Sequence, residues 1–229
     1  MSTASSAEQF PSDGTALPTT LPDDWSVTRP RQDGPVWYRA SFDLPAGTEP
    51  DKLFGLYVER ACSHVEVHLN GRRVHGERAA AAGPLPRNCW HPQRVMLPAA
   101  WLKPTGNLID LKVHGHTLPR VASRQRAGGL SPLHIGPSAG LASAQAWRTF
   151  WNVTAVQGLS VVLAVLGAAI LTLDGWNRRS THLRPFGWLA LGWAALSVRQ
   201  WQTDFWVDNS IVEFVAASAA APLAAAAML

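Results

Sequence analysis

The segment Val153–Leu173, VTAVQGLSVVLAVLGAAILTL, runs for 21 residues without a formal charge in a chain of 229 residues. As a helix it would be about 31 Å long, which matches the roughly 30 Å hydrocarbon core of a bilayer. Gln157 is its one strongly polar side chain, and the rest of the chain is too small to surround a helix that is apolar on all sides. The sequence therefore predicts a transmembrane helix near 153–173.

Two further apolar segments complete a predicted membrane domain over residues 146–229. A second helix is expected near 185–206, where repeated tryptophans resemble the aromatic belts of lipid–water boundaries. A third is expected near 211–229, since Glu213 and Pro222 are tolerated on a helix face that packs against other helices. Because the chain stops at the end of this apolar run, we expect the third helix to be truncated, by a cut or a frameshift.

Charge separates the two parts of the chain and predicts their orientation. Residues 1–145 carry 15 Lys/Arg and 12 Asp/Glu, whereas residues 146–229 carry 5 and 4. The loop Trp176–Arg184 holds three arginines, while the next loop holds Asp204 and Asp208. Because positively charged loops stay in the cytoplasm, the arginine loop is predicted inside and residues 1–145 outside.

Nucleic-acid binding is not expected from the charge pattern. The net charge of +4 is spread thinly, and no run of Lys/Arg is longer than a pair, whereas tracking phosphates needs a clustered basic face. Residues 1–20 are rich in Ser, Thr, Ala and Pro and are predicted to be a disordered tail. They lack the features of a secretory signal, so either the true start lies upstream or the first helix exports its own N-terminal side.

Residues 21–145 show the period-two alternation of antiparallel strands. In His64–Leu69 the apolar Val65, Val67 and Leu69 alternate with polar residues, and Asn70-Gly71 then predicts a tight hairpin turn. About seven short strands, turn signals between them and no stretch of helical period indicate an antiparallel β-sandwich.

Two cysteines and several histidines fall in this β-rich part. Cys62 and Cys89 form an even pair and are predicted to be a disulfide that pins the loop Gly83–Pro92 to the sheet; the alternative is two buried thiols. No metal site is expected, because there is no C-x-x-C motif and same-face neighbours on the strand His64–Leu69 lie roughly 7 Å apart. His64-x-Glu66-x-His68 is interpreted as a solvated polar face.

The candidate ligand-binding residues lie in two loops. The first loop contributes Arg87, Asn88, Trp90 and His91, a set of planar polar and aromatic groups that suits sugars or small polar ligands. The second, residues 120–126, contributes Arg124 and Arg126, whose guanidinium groups suit an anion. The alternative is that Trp90 packs on the sandwich and the arginines contact lipid headgroups. No catalytic residues are predicted, because neither a G-x-S-x-G motif nor a P-loop is present.

Several motifs carry a resemblance to known families. Leu21-Pro-Asp-Asp-Trp25, Gly34-Pro-Val-Trp-Tyr-Arg39 and Val67-His-Leu-Asn-Gly71 resemble the jelly-roll sugar-binding domain of family 2 glycoside hydrolases, where W-Y-R and L-N-G recur in this order. The same domain type is the extracellular sensory module of bacterial receptors with seven transmembrane helices. With RNCxHP, SRQRAGGLSPLxIGP and the FWNVT that opens the first helix, the layout is similar to the N-terminal part of a sensor histidine kinase of that class.

The resemblance implies an all-β jelly-roll sandwich followed by three transmembrane helices. This would be the sensory and membrane-anchoring portion of a two-component histidine kinase in the bacterial inner membrane, with residues 1–145 in the periplasm and a small ligand or periplasmic partner. The chain itself would be no enzyme and need no cofactor; ATP, Mg and a homodimer belong to the full-length kinase. The alternative is a membrane-anchored carbohydrate-binding or adhesion module without a signalling role.

Overall fold

The chain divides into two compact units, Met1–Arg148 and Thr149–Leu229, whereas the sequence placed its boundary slightly earlier, after Gln145. The computed structural model describes residues 1–4, 10, 16–32, 34–47, 53–76, 86, 88–121, 123–176, 183–203, 207 and 209–227. The predicted membrane-domain residues Asp204, Trp206 and Asp208, and most of the arginine loop, lie outside this description.

The first unit is β-rich. Its described residues form twelve strands: β1 (Ser2–Ala4), β2 (Leu17–Pro18), β3 (Asp23–Asp24), β4 (Val36–Phe42), β5 (Phe54–Val58), β6 (Ala61–Cys62), β7 (His64–Leu69), β8 (Arg72–His75), β9 (Gln93–Leu97), β10 (Asn107–His114), β11 (Gly129–Leu130) and β12 (Leu133–Pro137). A short helix α1 (Trp25–Thr28) follows β3, and a longer helix α2 (Ser138–Thr149) follows β12.

The strands form a sandwich whose pairings are all antiparallel. One sheet has six strands in the order β2-β1-β4-β10-β7-β8, and two three-stranded sheets have the orders β3-β11-β6 and β12-β5-β9. Alternate residues of these strands point inward because side chains change face at every residue of a strand. The resulting core contains Trp25, Val36, Tyr38, Phe54, Leu56, Val58, Ala61, Val65, Val67, Leu69, Val95, Leu97, Ile109, Leu111, Val113 and Leu130.

The turn between β7 and β8 has the backbone that its sequence predicts. Asn70 and Gly71 both have positive φ, 50° and 83°, as a two-residue hairpin turn requires. The Asn70 side chain also ties this turn to the sandwich, since its Nδ2 donates to the Trp101 carbonyl at 2.7 Å and its Oδ1 accepts from Leu108 N at 2.9 Å.

The N-terminal tail differs from the prediction in two places. Ser2–Ala4 pairs with β4 and Leu17–Pro18 pairs with β1, so these two segments are strands rather than a disordered tail. The β4 edge offers backbone groups that bond any short extended segment, and segments of two or three residues are too short to show a period in the sequence. Residues 5–9 and 11–15 lie outside the described residues.

The second unit is helical. A π-helical turn, Phe150–Thr154, precedes α3 (Ala155–Trp176), and α4 (Leu183–Trp201) and α5 (Asn209–Ala227) follow. Within the described residues, one continuous helical stretch, Ser138–Trp176, is long and apolar enough to cross a membrane. That α3, α4 and α5 cross a membrane remains a prediction.

Helix α2 starts inside the segment that was assigned to the sandwich, where no helix was expected. Its sequence, SAGLASAQAWRT, consists largely of small residues, so its apolar stripe is too weak to recognise as a helical period.

Candidate ligand-binding site

A disulfide fixes the first predicted ligand loop to the sandwich. Cys62 at the end of β6 is bonded to Cys89 within the 3₁₀ turn Asn88–Trp90, and both cysteines are buried. The Asn88 amide donates a hydrogen bond to the Ser63 carbonyl at 3.2 Å, which holds the start of the turn beside the disulfide. The pair is therefore the one expected from the sequence, and it anchors the loop where Trp90 and His91 follow.

The second predicted ligand loop reaches the same place. Arg124–Arg126 forms a 3₁₀ turn, and the Arg126 carbonyl lies 3.5 Å from Cys62 Sγ. The Gly128 amide donates to the His116 carbonyl at 3.3 Å, which holds the chain after the turn against the end of the large sheet. Two loops that lie about 30 residues apart in sequence thus meet at Cys62.

Solvent reaches the predicted ligand residues unequally. Asn88, Trp90 and His91 are half-buried and Arg124 is exposed, so these four present an amide, an indole, an imidazole and a guanidinium at least partly to solvent. The Arg126 side chain is 3% exposed. Arg87 lies outside the described residues. Planar aromatic groups of this kind can stack on a sugar or a small polar ligand, and the polar groups can form hydrogen bonds with it. That these residues bind such a ligand remains a prediction.

Short contacts connect the first loop to strand β9. Gln93 Nε2 donates to the His91 carbonyl at 3.3 Å, and Gln93 Oε1 lies 3.2 Å from His75 Nε2. The Pro92 carbonyl accepts a hydrogen bond from Gln145 Nε2 of α2 at 3.4 Å. The loop is therefore bonded on one side to the disulfide and on the other to β9 and α2.

A second polar cluster lies on the outer face of the six-stranded sheet. Glu66 Oε2 is 3.9 Å from His68 Nε2, and Glu66 Oε1 is 3.7 Å from His114 Nε2. Glu66 is only 4% exposed and His64 is also buried. The interpretation of His64-x-Glu66-x-His68 as a solvated face is therefore wrong for His64 and Glu66, which are buried, while His68 is half-buried.

Burial changes the acid–base properties of this cluster. Loss of solvation lowers the pKa of His68 and of His114 below the ordinary histidine value, although the nearby Glu66 carboxylate opposes the shift. The His68 ring also lies 5.4 Å from the Trp37 ring. Across the described residues there is no group of three His, Cys, Asp or Glu side chains arranged to hold a metal ion.

The motif residues that carry the resemblance bond to one another inside the fold. Trp25 Nε1 donates to the Tyr38 hydroxyl at 2.7 Å, and that hydroxyl donates to Asp23 Oδ2 at 2.7 Å. Arg39 makes a bidentate pair with Asp110, at 2.6 and 2.8 Å. Burial raises the pKa of Tyr38 above its ordinary value. These residues position the strands, so the motifs describe the architecture and do not by themselves identify a ligand.

Comparisons with known proteins give no family. No protein-family model matches the sequence, and no curated protein matches it. Solved structures similar to part of the chain include the beta-glucuronidase of Faecalibacterium prausnitzii, at 18% identity and a TM-score of 0.39 over 49% of this chain and 19% of that one. The beta-D-glucuronidase of Dictyoglomus thermophilum matches at 19% identity and a TM-score of 0.37, over 49% of this chain and 18% of that one.

A family 2 glycosyl hydrolase from Bacteroides cellulosilyticus matches at 16% identity and a TM-score of 0.40, over 57% of this chain and 18% of that chain. The present chain thus spans about a fifth of the length of the solved proteins that it matches. At these identities and TM-scores the likeness carries no argument about function, and the β-sandwich rests on the strand pairing described above.

Proposed function

We propose that this chain is the sensory input and membrane-anchoring portion of a signalling protein. In this proposal a jelly-roll sandwich binds a small ligand or a protein partner in the periplasm, and three transmembrane helices anchor it in the bacterial inner membrane. One observation carries the proposal: in the same chain, a β-sandwich with a buried apolar core is followed by a helix whose apolar side chains are largely exposed.

The outward faces of α3 support membrane insertion. Val161, Val162, Val165 and Leu166 are each 50–65% exposed, and they form one broad face of the helix, because residues four apart lie on the same side. In water such a continuous apolar surface is unfavourable and promotes aggregation, whereas in hydrocarbon it has no such cost. The length of the helix is sufficient to cross the hydrocarbon core.

The packing of α3 against α4 is of a kind that membrane helices use. A Cβ added to Gly167 would lie 2.8 Å from the Gly187 carbonyl oxygen, so the two backbones approach closely at this pair of glycines. Small residues permit such close approach where the hydrophobic effect cannot drive helix association. Asp174, which is buried, pairs with Arg184 near the ends of the same two helices. These contacts support α4 as a second membrane helix.

Two features support a periplasmic sandwich. The disulfide between Cys62 and Cys89 persists in an oxidising compartment and is rare in the cytosol. The arginines at 178, 179 and 184 favour a cytoplasmic position for the loop after α3. Both features support a position of the sandwich on the outer side of the membrane.

The signalling class of the proposal is a two-component histidine kinase, whose ATP- and Mg-dependent core and homodimer would belong to the full-length protein. A membrane-anchored carbohydrate-binding or adhesion module is the second candidate, favoured by the half-buried Trp90 and His91 beside the disulfide. Reading the coding DNA beyond codon 229 in all three forward frames separates them. A phosphoacceptor-histidine helix and an ATP-binding domain would support the kinase, and closed frames without them would contradict it.

Ligand binding is tested on the full chain in detergent micelles. Thermal unfolding of the sandwich is followed with a panel of neutral sugars, sugar acids and small inorganic anions. A ligand at 100 times its Kd stabilises the folded state by roughly 2.7 kcal/mol, which raises Tm by a measurable amount. The Trp90→Ala variant is expected to lose the shift, and a shift that persists unchanged in this variant would place the site elsewhere.

A further inference from the structure

Helix α2 lies on the outer face of the sheet β12-β5-β9. The Ser138 amide donates to the Leu53 carbonyl at 2.8 Å and fixes the first turn of the helix at the start of β5. A Cβ added to Gly55 would lie 3.4 Å from Leu141 Cδ1 and 3.3 Å from the Val95 carbonyl oxygen, so the absent side chain leaves room for Leu141 to approach the sheet. Leu141 is half-buried, whereas Ala139, Ala144 and Trp147 are exposed.

Polar side chains make most of the remaining attachment of α2. Arg94 of β9 donates from Nε to Gln145 Oε1 at 2.9 Å and from Nη1 to Ser138 Oγ at 3.1 Å. Farther along the helix, Arg148 pairs with Glu59 at 3.0 Å. Because a single hydrogen bond contributes only about 0.5–1.5 kcal/mol, an attachment of this kind is adjustable in a way that a large apolar interface is not.

Gln145 contacts the candidate ligand loop as well as the strand. Its Nε2 donates to the Pro92 carbonyl at 3.4 Å, close to the outer limit of a hydrogen bond, while its Oε1 accepts from Arg94. Pro92 directly follows the ligand-loop residues Asn88–His91, and Arg94 lies two residues farther on. A displacement of Pro92 by a few tenths of an ångström would therefore break or tighten a bond that holds α2.

We infer that Gln145 and Arg94 are positioning residues that couple the conformation of the loop Asn88–Pro92 to the docking of α2 on the sandwich. The inference rests on the proposed function for the identity of this loop as the ligand site. Binding of a ligand at that site would change the docking of α2 through the contact between Gln145 and the Pro92 carbonyl. A ligand that moves Pro92 would shift the docking equilibrium of α2 by about threefold to tenfold, the effect of one hydrogen bond.

A double-mutant cycle on the full chain in detergent micelles tests the coupling without any ligand. Trp90→Ala perturbs the loop, Gln145→Ala removes the contact, and hydrogen exchange of the amides in 138–149 reports the docking of α2. Each single variant is expected to raise the exchange rate, Gln145→Ala by about threefold to tenfold. In the double variant we expect the Trp90→Ala effect to fall to less than half of its wild-type size.

Arg148→Gln is the matched control. It removes another polar contact of the same helix, with Glu59, that does not involve the ligand loop. In the double variant Trp90→Ala, Arg148→Gln, the effects of the two substitutions on the exchange rate should multiply, as independent effects do. If Trp90→Ala unfolds the sandwich, Trp90→Phe replaces it as the milder perturbation, with the unfolding temperature measured in parallel.

Three results would overturn the inference. The effects of Trp90→Ala and Gln145→Ala on the exchange rate could be independent, or the effect of Trp90→Ala could shrink equally in the Gln145→Ala and Arg148→Gln backgrounds. The third is an exchange rate of α2 that does not change when the loop is perturbed. None of these results depends on insertion into a membrane or on a kinase. If the DNA beyond codon 229 encodes no kinase, the proposed signalling function fails, but the result of the double-mutant cycle can still be interpreted.

Discussion

The sandwich buries a large apolar core of its own, whereas α3 leaves many of its apolar side chains exposed. In the sandwich, Tyr38 and Trp25 are buried and bonded to each other. In α3, Val165 and Leu166 are at least half exposed. The difference teaches that the first unit buries its core as a protein in water does, and it is the physical basis for the proposal that α3 lies in an apolar solvent.

Loss of the disulfide should cause the largest change in the free energy of unfolding of the sandwich. Replacing both Cys62 and Cys89 by alanine frees a loop with a sequence separation of 27 residues. The chain-entropy relation then predicts a loss of about 3–4 kcal/mol in the free energy of unfolding. Urea unfolding of the full chain in detergent, followed by the near-ultraviolet signal of the sandwich, measures this loss. A change below about 1 kcal/mol would show that the disulfide does not hold the loop.

A charge on the uncovered face of α3 should act through the membrane. Val165→Arg places a guanidinium near the middle of the apolar segment and is expected to oppose insertion by about 2.5–3.5 kcal/mol. The insertion equilibrium is measured by glycosylation mapping in microsomes. Ala144→Arg, the same gain of charge at an exposed position of α2, is the control and should leave insertion unchanged. Equal insertion of the two variants would contradict the assignment of α3 to lipid.

Two buried tyrosines offer a matched pair within the sandwich. Tyr38→Phe removes a hydroxyl that accepts from Trp25 and donates to Asp23, so it should lower the free energy of unfolding by about 1–3 kcal/mol. The Tyr57 hydroxyl is buried and has no hydrogen-bond partner among the described residues. Tyr57→Phe has no hydrogen bond to remove and relieves the desolvation cost of an unpartnered hydroxyl, so it should leave the free energy of unfolding unchanged or raise it. Similar losses in both variants would mean that the Tyr38 bonds contribute little.

The smallest expected effect is a dependence of sandwich stability on pH. Burial lowers the pKa of His68, His75 and His114 in the folded state, so below about pH 6.5 the unfolded chain takes up protons first. The stabilisation present above that pH is lost as the pH falls through the folded-state values. Thermal unfolding between pH 7.5 and 5 should show a declining Tm. The double variant His68→Gln, His114→Gln should flatten the decline, and a constant wild-type Tm would contradict it.

Sequence reasoning succeeded where the determining contacts are local. Alternation along His64–Leu69 and the Asn70-Gly71 turn fix β7, its hairpin and its inward face without knowledge of the rest of the chain. It missed α2, because Ser138–Thr149 lacks a strong apolar stripe and is attached through tertiary contacts with Arg94 and Glu59. The strand Ser2–Ala4 was missed for a related reason, since only its neighbour β4 makes it a strand.

The candidate site was only partly accessible to sequence reasoning. Composition singled out the two loops that carry Trp90 and Arg124, but their meeting at Cys62 depends on strands paired across the whole sandwich. The burial of Arg126 and of Glu66 could not be predicted from the sequence either, because it is determined by neighbours that are distant in sequence. Long-range burial thus limited the prediction of the site more than residue chemistry did.

The central claim is that α3 carries the chain across a membrane, with the sandwich outside. Labelling with a membrane-impermeant maleimide on spheroplasts tests it directly, using Thr105→Cys in an exposed loop of the sandwich and Ser180→Cys in the arginine loop. The reagent should label the Thr105→Cys variant in intact spheroplasts and the Ser180→Cys variant only after the membrane is disrupted; the wild-type chain, whose two cysteines are bonded, is the blank. Equal labelling of both variants in intact spheroplasts would contradict the account.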